Sequence, residues 1–143
     1  MPSEGRIWVS DAPSLEDLHR LDDLLDQDNI ERTGIQDARL LAVMLRSADG
    51  DLYAGLHGHS WGGCCEIKTL WVADSHRRQG IGTRLMAAAE KEAARRGCTQ
   101  IVLTTHSFQA PEFYEKRGFR RLASVDDDPI GYSNILMVKR LER

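Results

Sequence analysis

The residues best suited to chemistry lie in a turn rich in arginine and glycine, within the segment VADSHRRQGIGTRL that runs from Val72 to Leu85. Glycine enters left-handed backbone regions and lets another group approach the main chain closely. The first turn of a helix has N–H groups without internal partners and a partial positive charge. Together these features predict a pocket for an anion, most often a phosphate. A tight surface turn with solvated arginines would explain the same residues.

The elements on either side of this turn are predicted from hydrophobic periodicity. The preceding segment CCEIKTLWV alternates as a strand does, with Glu66 and Val72 on one side and Ile67 and Trp71 on the other. The following segment TRLMAAAEKEAARRG is rich in helix formers and ends at Gly97. The turn therefore joins a strand to a helix.

The rest of the chain predicts the order β-α-(α)-β-β-β-α-β-α-β-β. RIWVS is typical of a first strand, and a leucine-striped helix follows, capped by Ser14 and Asp17. Residues 26–38 are polar and predict a loop that could hold a second short helix. Pro111 begins another short helix, PEFYEKR. The other predicted strands are RLLAVMLR, LYAGLHGH, QIVLTT, FRRLA and NILMVKRL.

The composition is that of an ordinary globular protein, with 143 residues, 41% hydrophobic and 29% charged, and it predicts one domain spanning 1–143. The net charge of −3 argues against a general nucleic-acid binder and would attract cationic molecules. Three cysteines, an odd number, favour a reducing compartment. With no apolar run suited to a signal peptide or a bilayer, we expect a soluble cytoplasmic protein without a membrane partner.

A metal site is the first alternative to consider in HGHSWGGCC, because His57, His59, Cys64 and Cys65 are soft ligands in a short span. Adjacent cysteines point to opposite faces of a strand, and the spacing fits no usual zinc pattern. We therefore expect no metal, and small packing roles for the two cysteines.

Two patches of the sequence resemble the GNAT N-acetyltransferase superfamily. That family has an Arg/Gln-x-x-Gly-x-Gly/Ala turn between its fourth strand and third helix, which Arg77, Gly80 and Gly82 match. It often reads Asn-x-x-Ala-x-x-Phe-Tyr-x-Lys-x-Gly-Phe further on, where this chain has SFQAPEFYEKRGF from Ser107 to Phe119. The resemblance implies an α/β (mixed α+β) fold, with a central, mostly antiparallel mixed sheet of six or seven strands flanked by about four helices.

The resemblance also implies acetyl-CoA as the cosubstrate. Its diphosphate would be held by backbone N–H groups from Arg78 to Thr83, and Arg77 or Arg78 could add a charge-assisted bond. Its pantetheine arm would lie where the family's fourth and fifth strands splay apart, and would pair with main-chain groups like an added strand. The implied binding residues are Leu70, Trp71, Val72, Arg77, Arg78, Gln79, Gly80, Ile81, Gly82, Thr83, Ser107, Ala110 and Phe113. Ser107 departs from the family's asparagine, and its hydroxyl has a shorter reach.

Two side chains are candidates for the chemistry. Tyr114 matches the family tyrosine that protonates the leaving thiolate, although it could simply pack beside Phe113. Glu66 matches the catalytic glutamate of one branch of the family, and apolar neighbours would suit it as a base. An exposed ion pair with Lys68 or another cation is the alternative for Glu66. A water chain could replace the glutamate as the proton acceptor, and His57 and His106 are further candidates.

The function implied is acetyl-CoA-dependent N-acetylation of a primary amine by direct attack in a ternary complex. The acceptor could be a small molecule or a protein amino group, and acidic segments such as Asp126–Asp128 would favour a cation. The alternative is a non-catalytic acyl-CoA-binding module or partner subunit on the same fold. The family also suggests that the chain could form a homodimer.

Overall fold

The computed structural model describes residues 5–142. The chain divides into two compact units, the first of which ends at Ile35 and consists mostly of one long helix. Helix α1 spans Leu15–Thr33. Ser14 caps it, and its hydroxyl accepts a hydrogen bond from the Asp17 N–H at 3.0 Å, as the sequence predicts. The loop predicted for residues 26–38 is wrong as far as Thr33, because the helix continues until Gly34 adopts a left-handed φ of 74°.

The first predicted strand, RIWVS, does not form. Residues 6–10 have no strand structure, and the side chains of Ile7, Trp8 and Val9 are exposed. A β-branched and aromatic composition favours a strand only where a neighbouring strand can pair with it. Composition alone was therefore a misleading signal at this end of the chain.

The second unit, from Gln36 onward, is built on a six-stranded mixed sheet. The strands are β1 Arg39–Arg46, β2 Leu52–Trp61, β3 Cys64–Val72, β4 Gln100–His106, β5 Arg120–Asp126 and β6 Ser133–Arg140. Their spatial order is β1-β2-β3-β4-β6-β5, and all neighbours are antiparallel except β3 and β4. The prediction of a mixed, mostly antiparallel sheet of six or seven strands is confirmed, with the bounds of β1 and β3 as the sequence indicates.

Helix α2, Ile81–Arg95, packs across β1, β2 and β3. Its buried residues recur every three or four positions along one face and are Ile81, Leu85, Met86, Ala89 and Ala93. Helix α3, Pro111–Lys116, begins with proline at its first turn, as predicted. The described residues thus contain three α-helices, one fewer than the four expected, because the second short helix of the prediction is the end of α1. None of them is long and apolar enough to cross a bilayer.

One acidic side chain connects three elements of the second unit. Glu90 of α2 forms ion pairs with Arg117, which caps α3, and with Lys139 of β6. The Glu90 and Arg117 side chains are only 15% and 16% exposed, so their charges are screened less by solvent than those of surface pairs. These contacts fix α3 against α2, and α3 carries Tyr114.

Candidate active site

A cleft opens where β3 and β4 separate. The two strands pair in parallel only from Cys64 to Ile67 on β3 and from Gln100 to Leu103 on β4. Beyond these pairs their carboxyl ends diverge and line a cavity of about 930 Å³, a size suited to an extended cofactor. The separation of strands implied by the family resemblance is therefore present in this sheet.

A β-bulge lies at the base of the cleft. Gly58 of β2 pairs with Ile67, whereas His57 pairs with Thr69, so Lys68 is the extra residue on β3. A Cβ atom at position 58 would overlap the main-chain carbonyl of Glu66, so this approach of two backbones requires glycine. The bulge lies directly after Ile67, the last residue of β3 that pairs with β4.

The bulge also shifts the side-chain alternation of β3. Leu70 and Val72 pack against the same core as Ile67, and not on the side of Glu66 as simple alternation predicts. That part of the prediction is wrong beyond Ile67, since an inserted residue reverses the alternation that follows it. Leu70, Trp71 and Val72 nevertheless line the cleft.

The turn after β3 has the backbone of an anion site. Arg78 has a φ of 65°, unusual for a residue with a side chain, and Gly80 has a φ of 75°. Gly80 gives α2 no side-chain cap, and the first helical bond is donated by the Arg84 N–H to the Gly80 carbonyl. Among the described residues, the N–H groups of Ile81, Gly82 and Thr83 therefore have no helical acceptor. They converge at the positive end of the helix dipole.

The two arginines of the turn differ in their partners. The Arg77 guanidinium donates to the Val72 carbonyl at 3.0 Å and pairs with Asp74, so it ties the turn to the end of β3. Arg78 is exposed, lines the cleft and has no partner among the described residues. Arg78 is thus the cation available to an anion. Gln79, also predicted to bind, does not line the cleft.

Gly82 has a packing role besides the one predicted for it. A Cβ there would lie 3.3 Å from Cζ of the Phe113 ring, so its absence lets α3 approach the start of α2. Phe113 and Ala110 both line the cleft, as does Tyr114. The two sequence patches that carry the resemblance are therefore neighbours in space.

Tyr114 is 9% exposed and lies edge-on to Phe113 and Phe119, with ring centroids 5.1 and 5.8 Å away. Its hydroxyl has no hydrogen-bond partner among the described residues. Burial raises the pKa of this phenol above its usual value, so it stays protonated and able to donate at neutral pH.

Glu66 and Ser107 lie outside the cleft lining. The Glu66 side chain is 47% exposed and lies 3.8 Å from His59 Nε2, without the apolar surroundings expected for it. The Ser107 hydroxyl accepts from the Ser133 N–H at 2.9 Å and borders a second, smaller cavity beside β5. Their roles as base and pantetheine contact remain predictions.

Polar residues that the sequence interpretation passed over line the wall formed by β4 and the turn before α3. They are Thr104, Thr105 and Gln109. Their signal in the sequence is the change from the apolar run QIVL to polar residues at the end of a buried strand, where ligand-binding side chains of open sheets are found.

Comparison with known proteins agrees with this geometry. Residues 6–119 match the sequence model of the acetyltransferase (GNAT) family. The chain is 39% identical over 116 residues to blasticidin-S acetyltransferase of Streptomyces morookaense, which covers 78% of this chain and 85% of that one. It is 33% identical to an acetyltransferase of Agrobacterium fabrum, over 92% and 96% of the two chains. The crystal structure of an Agrobacterium tumefaciens protein assigned to the acetyltransferases superimposes with a TM-score of 0.85 and 32% identity, over 95% and 99% of the chains.

Proposed function

Because this chain belongs to the acetyltransferase (GNAT) family and is therefore an acetyltransferase, we propose that it acetylates a primary amine of a small molecule with acetyl-CoA. The observation that carries the proposal is the divergence of β3 from β4 beside the uncapped start of α2. Such a cleft offers unpaired strand edges to an amide-bearing chain and unpaired N–H groups to an anion. Acetyl-CoA has both parts.

The residues around the cleft fit acetyl-CoA. The N–H groups of Ile81, Gly82 and Thr83, with the Arg78 guanidinium, would hold the diphosphate. The main chain of Leu70 and Trp71 would pair with the pantetheine arm, since β3 has no β4 partner there. When bound, acetyl-CoA supplies a thioester whose acetyl carbon accepts the lone pair of the amine.

Tyr114 acts as the general acid in this proposal. As the bond from carbon to sulfur breaks, the Tyr114 hydroxyl donates its proton to the leaving thiolate and is then reprotonated from solvent. Its location in the cleft and its raised pKa both suit that role. The amine must lose a proton in the same reaction. Glu66 lies outside the cleft lining, so it would receive that proton through water, and a water chain to solvent would serve equally well.

The acceptor proposed is an amine-bearing, cationic small molecule. Phe108 lines the cleft and stacks on His106, and Tyr132 lies edge-on to it with a centroid distance of 5.0 Å. Asp126 ends β5, and Tyr132 lies on the loop that follows, where the Asp128 N–H donates to the Tyr132 carbonyl at 3.2 Å and places an acidic residue next to Tyr132. Ring faces and carboxylates both attract cations. A relative is named for acetylating the antibiotic blasticidin S, which makes that antibiotic the first acceptor to test.

Release of free thiol from acetyl-CoA tests the proposal. The purified protein is supplied with acetyl-CoA and, in turn, blasticidin S, aminoglycosides, polyamines and lysine peptides. We expect saturable thiol release with at least one small amine, and a mass spectrum that locates the acetyl group on nitrogen. Binding of acetyl-CoA without release across the panel would favour the non-catalytic acyl-CoA-binding module, and absence of binding would overturn both functions.

A further inference from the structure

The turn between β4 and α3 is closed by Gln109. The Gln109 N–H donates to the His106 carbonyl at 2.9 Å, and its side chain lines the cleft one residue before Ala110. In the family resemblance this stretch meets the pantetheine arm, and position 107 is the contact. Here the Ser107 hydroxyl is already engaged with the Ser133 N–H, outside the cleft lining. The wall therefore needs another polar group if it is to hold an amide-bearing ligand.

Three hydrogen bonds fix the orientation of the Gln109 carboxamide. Its Oε1 atom lies 2.8 Å from the His106 N–H, 3.2 Å from the Thr105 hydroxyl and 3.2 Å from His106 Nδ1. A backbone N–H can only donate, so the atom that it meets must be the amide oxygen. Because Oε1 is an acceptor, its contact with His106 Nδ1 is a hydrogen bond when that nitrogen carries a proton.

The oxygen of Gln109 is fully used, since three donors surround two lone pairs. The amide nitrogen is on the other branch of the carboxamide, with two N–H donors and no partner among the described residues. Gln109 thus presents a donor, and no acceptor, to whatever occupies the cleft. The pantetheine arm carries two amide carbonyls, which are acceptors.

We propose that Gln109 is a positioning residue that donates from its amide nitrogen to a carbonyl of the pantetheine arm, so that the thioester is held at a fixed distance from Tyr114. The inference rests on the proposed function, because it requires coenzyme A in this cleft. Thr105 supports the contact from behind. It is 3% exposed, and its hydroxyl donates to Gln109 Oε1.

Replacement of Gln109 by glutamate is the sharpest test. A glutamate oxygen accepts the same three bonds and keeps the turn, whereas its second oxygen cannot donate. The readout is the affinity for two ligands, coenzyme A and adenosine 3′-phosphate 5′-diphosphate, which keeps the nucleotide and its phosphates but lacks the pantetheine arm. We expect Gln109→Glu to weaken coenzyme A about five- to tenfold, the loss for one hydrogen bond, with the nucleotide changed less than about twofold.

A second variant separates loss of the donor from the added charge. Gln109→Met has similar length, adds no charge and cannot donate a hydrogen bond. It should therefore also weaken the binding of coenzyme A more than the binding of the nucleotide. Thermal unfolding of each variant reports whether the turn is kept. The inference would be overturned if the ratio of the coenzyme A affinity to the nucleotide affinity were the same in both variants as in wild type. The proposed function would remain intact in that case. If wild type binds the nucleotide and coenzyme A equally, or neither, the proposed use of the cleft is itself wrong and the inference falls with it.

Discussion

The two ends of the cleft are built from different parts of the chain. At the start of α2 the proposed anion site consists of main-chain N–H groups, which follow the left-handed backbone at Arg78 and Gly80. At the other end the proposed chemistry depends on side chains, chiefly the buried Tyr114, which packs against aromatic neighbours. A site made of backbone is disrupted by changing conformation, and one made of side chains by removing a single atom. Binding and catalysis should therefore be separable by mutation.

The largest expected effect is on the side-chain end. Tyr114→Phe removes only the hydroxyl, so we expect kcat to fall about a hundredfold or more, the contribution of a general acid, while the affinity for coenzyme A stays within about threefold. Steady-state thiol release and calorimetry measure the two quantities. Tyr53→Phe is the matched control, because Tyr53 lies on β2 and stacks on His76 through its ring. A Tyr114→Phe variant that lost affinity and rate together would erase the distinction between the two ends.

The next effect concerns the bulge that opens the cleft. Gly58→Ala forces a Cβ into the Glu66 carbonyl, so we expect the free energy of unfolding to fall by about 2–3 kcal/mol, typical of overpacking. Chemical denaturation measures it. Gly55→Ala is the control from the same strand, since its Cβ would meet atoms no closer than 3.4 Å, and we expect a change below about 1 kcal/mol. Similar losses in both variants would show that the Gly58 contact is not special.

Substitution of each of the two arginines tests the anion site proposed at the start of α2. Arg78→Ala should weaken coenzyme A about tenfold, in the range of a charge-assisted hydrogen bond, with little change in thermal stability. Arg77→Ala should act mainly on stability, because Arg77 holds the turn to the Val72 carbonyl. Titrations at low and high salt provide the check, since only the Arg78 contribution should shrink with salt. A greater loss of affinity in Arg77→Ala would reverse the assignment.

The smallest effect is the pH dependence contributed by Tyr114. Burial raises the pKa of its hydroxyl in the folded state, so the folded protein holds this proton to higher pH than the unfolded chain does. The stability from this group is complete below the unfolded pKa of about 10 and is lost as pH rises through the folded pKa. Ultraviolet titration of tyrosinate, wild type minus Tyr114→Phe, should give a midpoint above 10. A midpoint at or below that value would contradict the burial argument.

The same contrast explains how much could be predicted from the sequence. The turn from β3 to α2 could be predicted because glycine spacing and a strand-to-helix transition are local signals, and the bounds of β1 and β3 follow from hydrophobic runs. The side of the strand on which Leu70 and Val72 lie could not be predicted, because Lys68 forms a bulge that depends on the pairing of β2 with β3. The orientation of the Gln109 carboxamide could not be predicted either, since it depends on hydrogen bonds to the end of β4.

Errors at the start of the chain have a related cause. RIWVS has strand-like composition yet forms no strand, whereas residues 26–33 look like a polar loop yet continue a helix. A strand forms only where another strand can pair with it, which composition does not report. The helix ends only at Gly34, the residue with a left-handed backbone.

The short ladder between β3 and β4 has a mechanical consequence. In the described part of the sheet, β3 and β4 pair over four residues each, and this short ladder joins β1–β3 to β4–β6. The Glu90 carboxylate of α2 adds ion pairs to Arg117 and to Lys139 of β6. A molecule bound along the cleft would contact both halves of the sheet and restrict their relative motion. If acetyl-CoA binds there as proposed, it would make the sheet more rigid, and release of coenzyme A would restore the relative motion of the two halves.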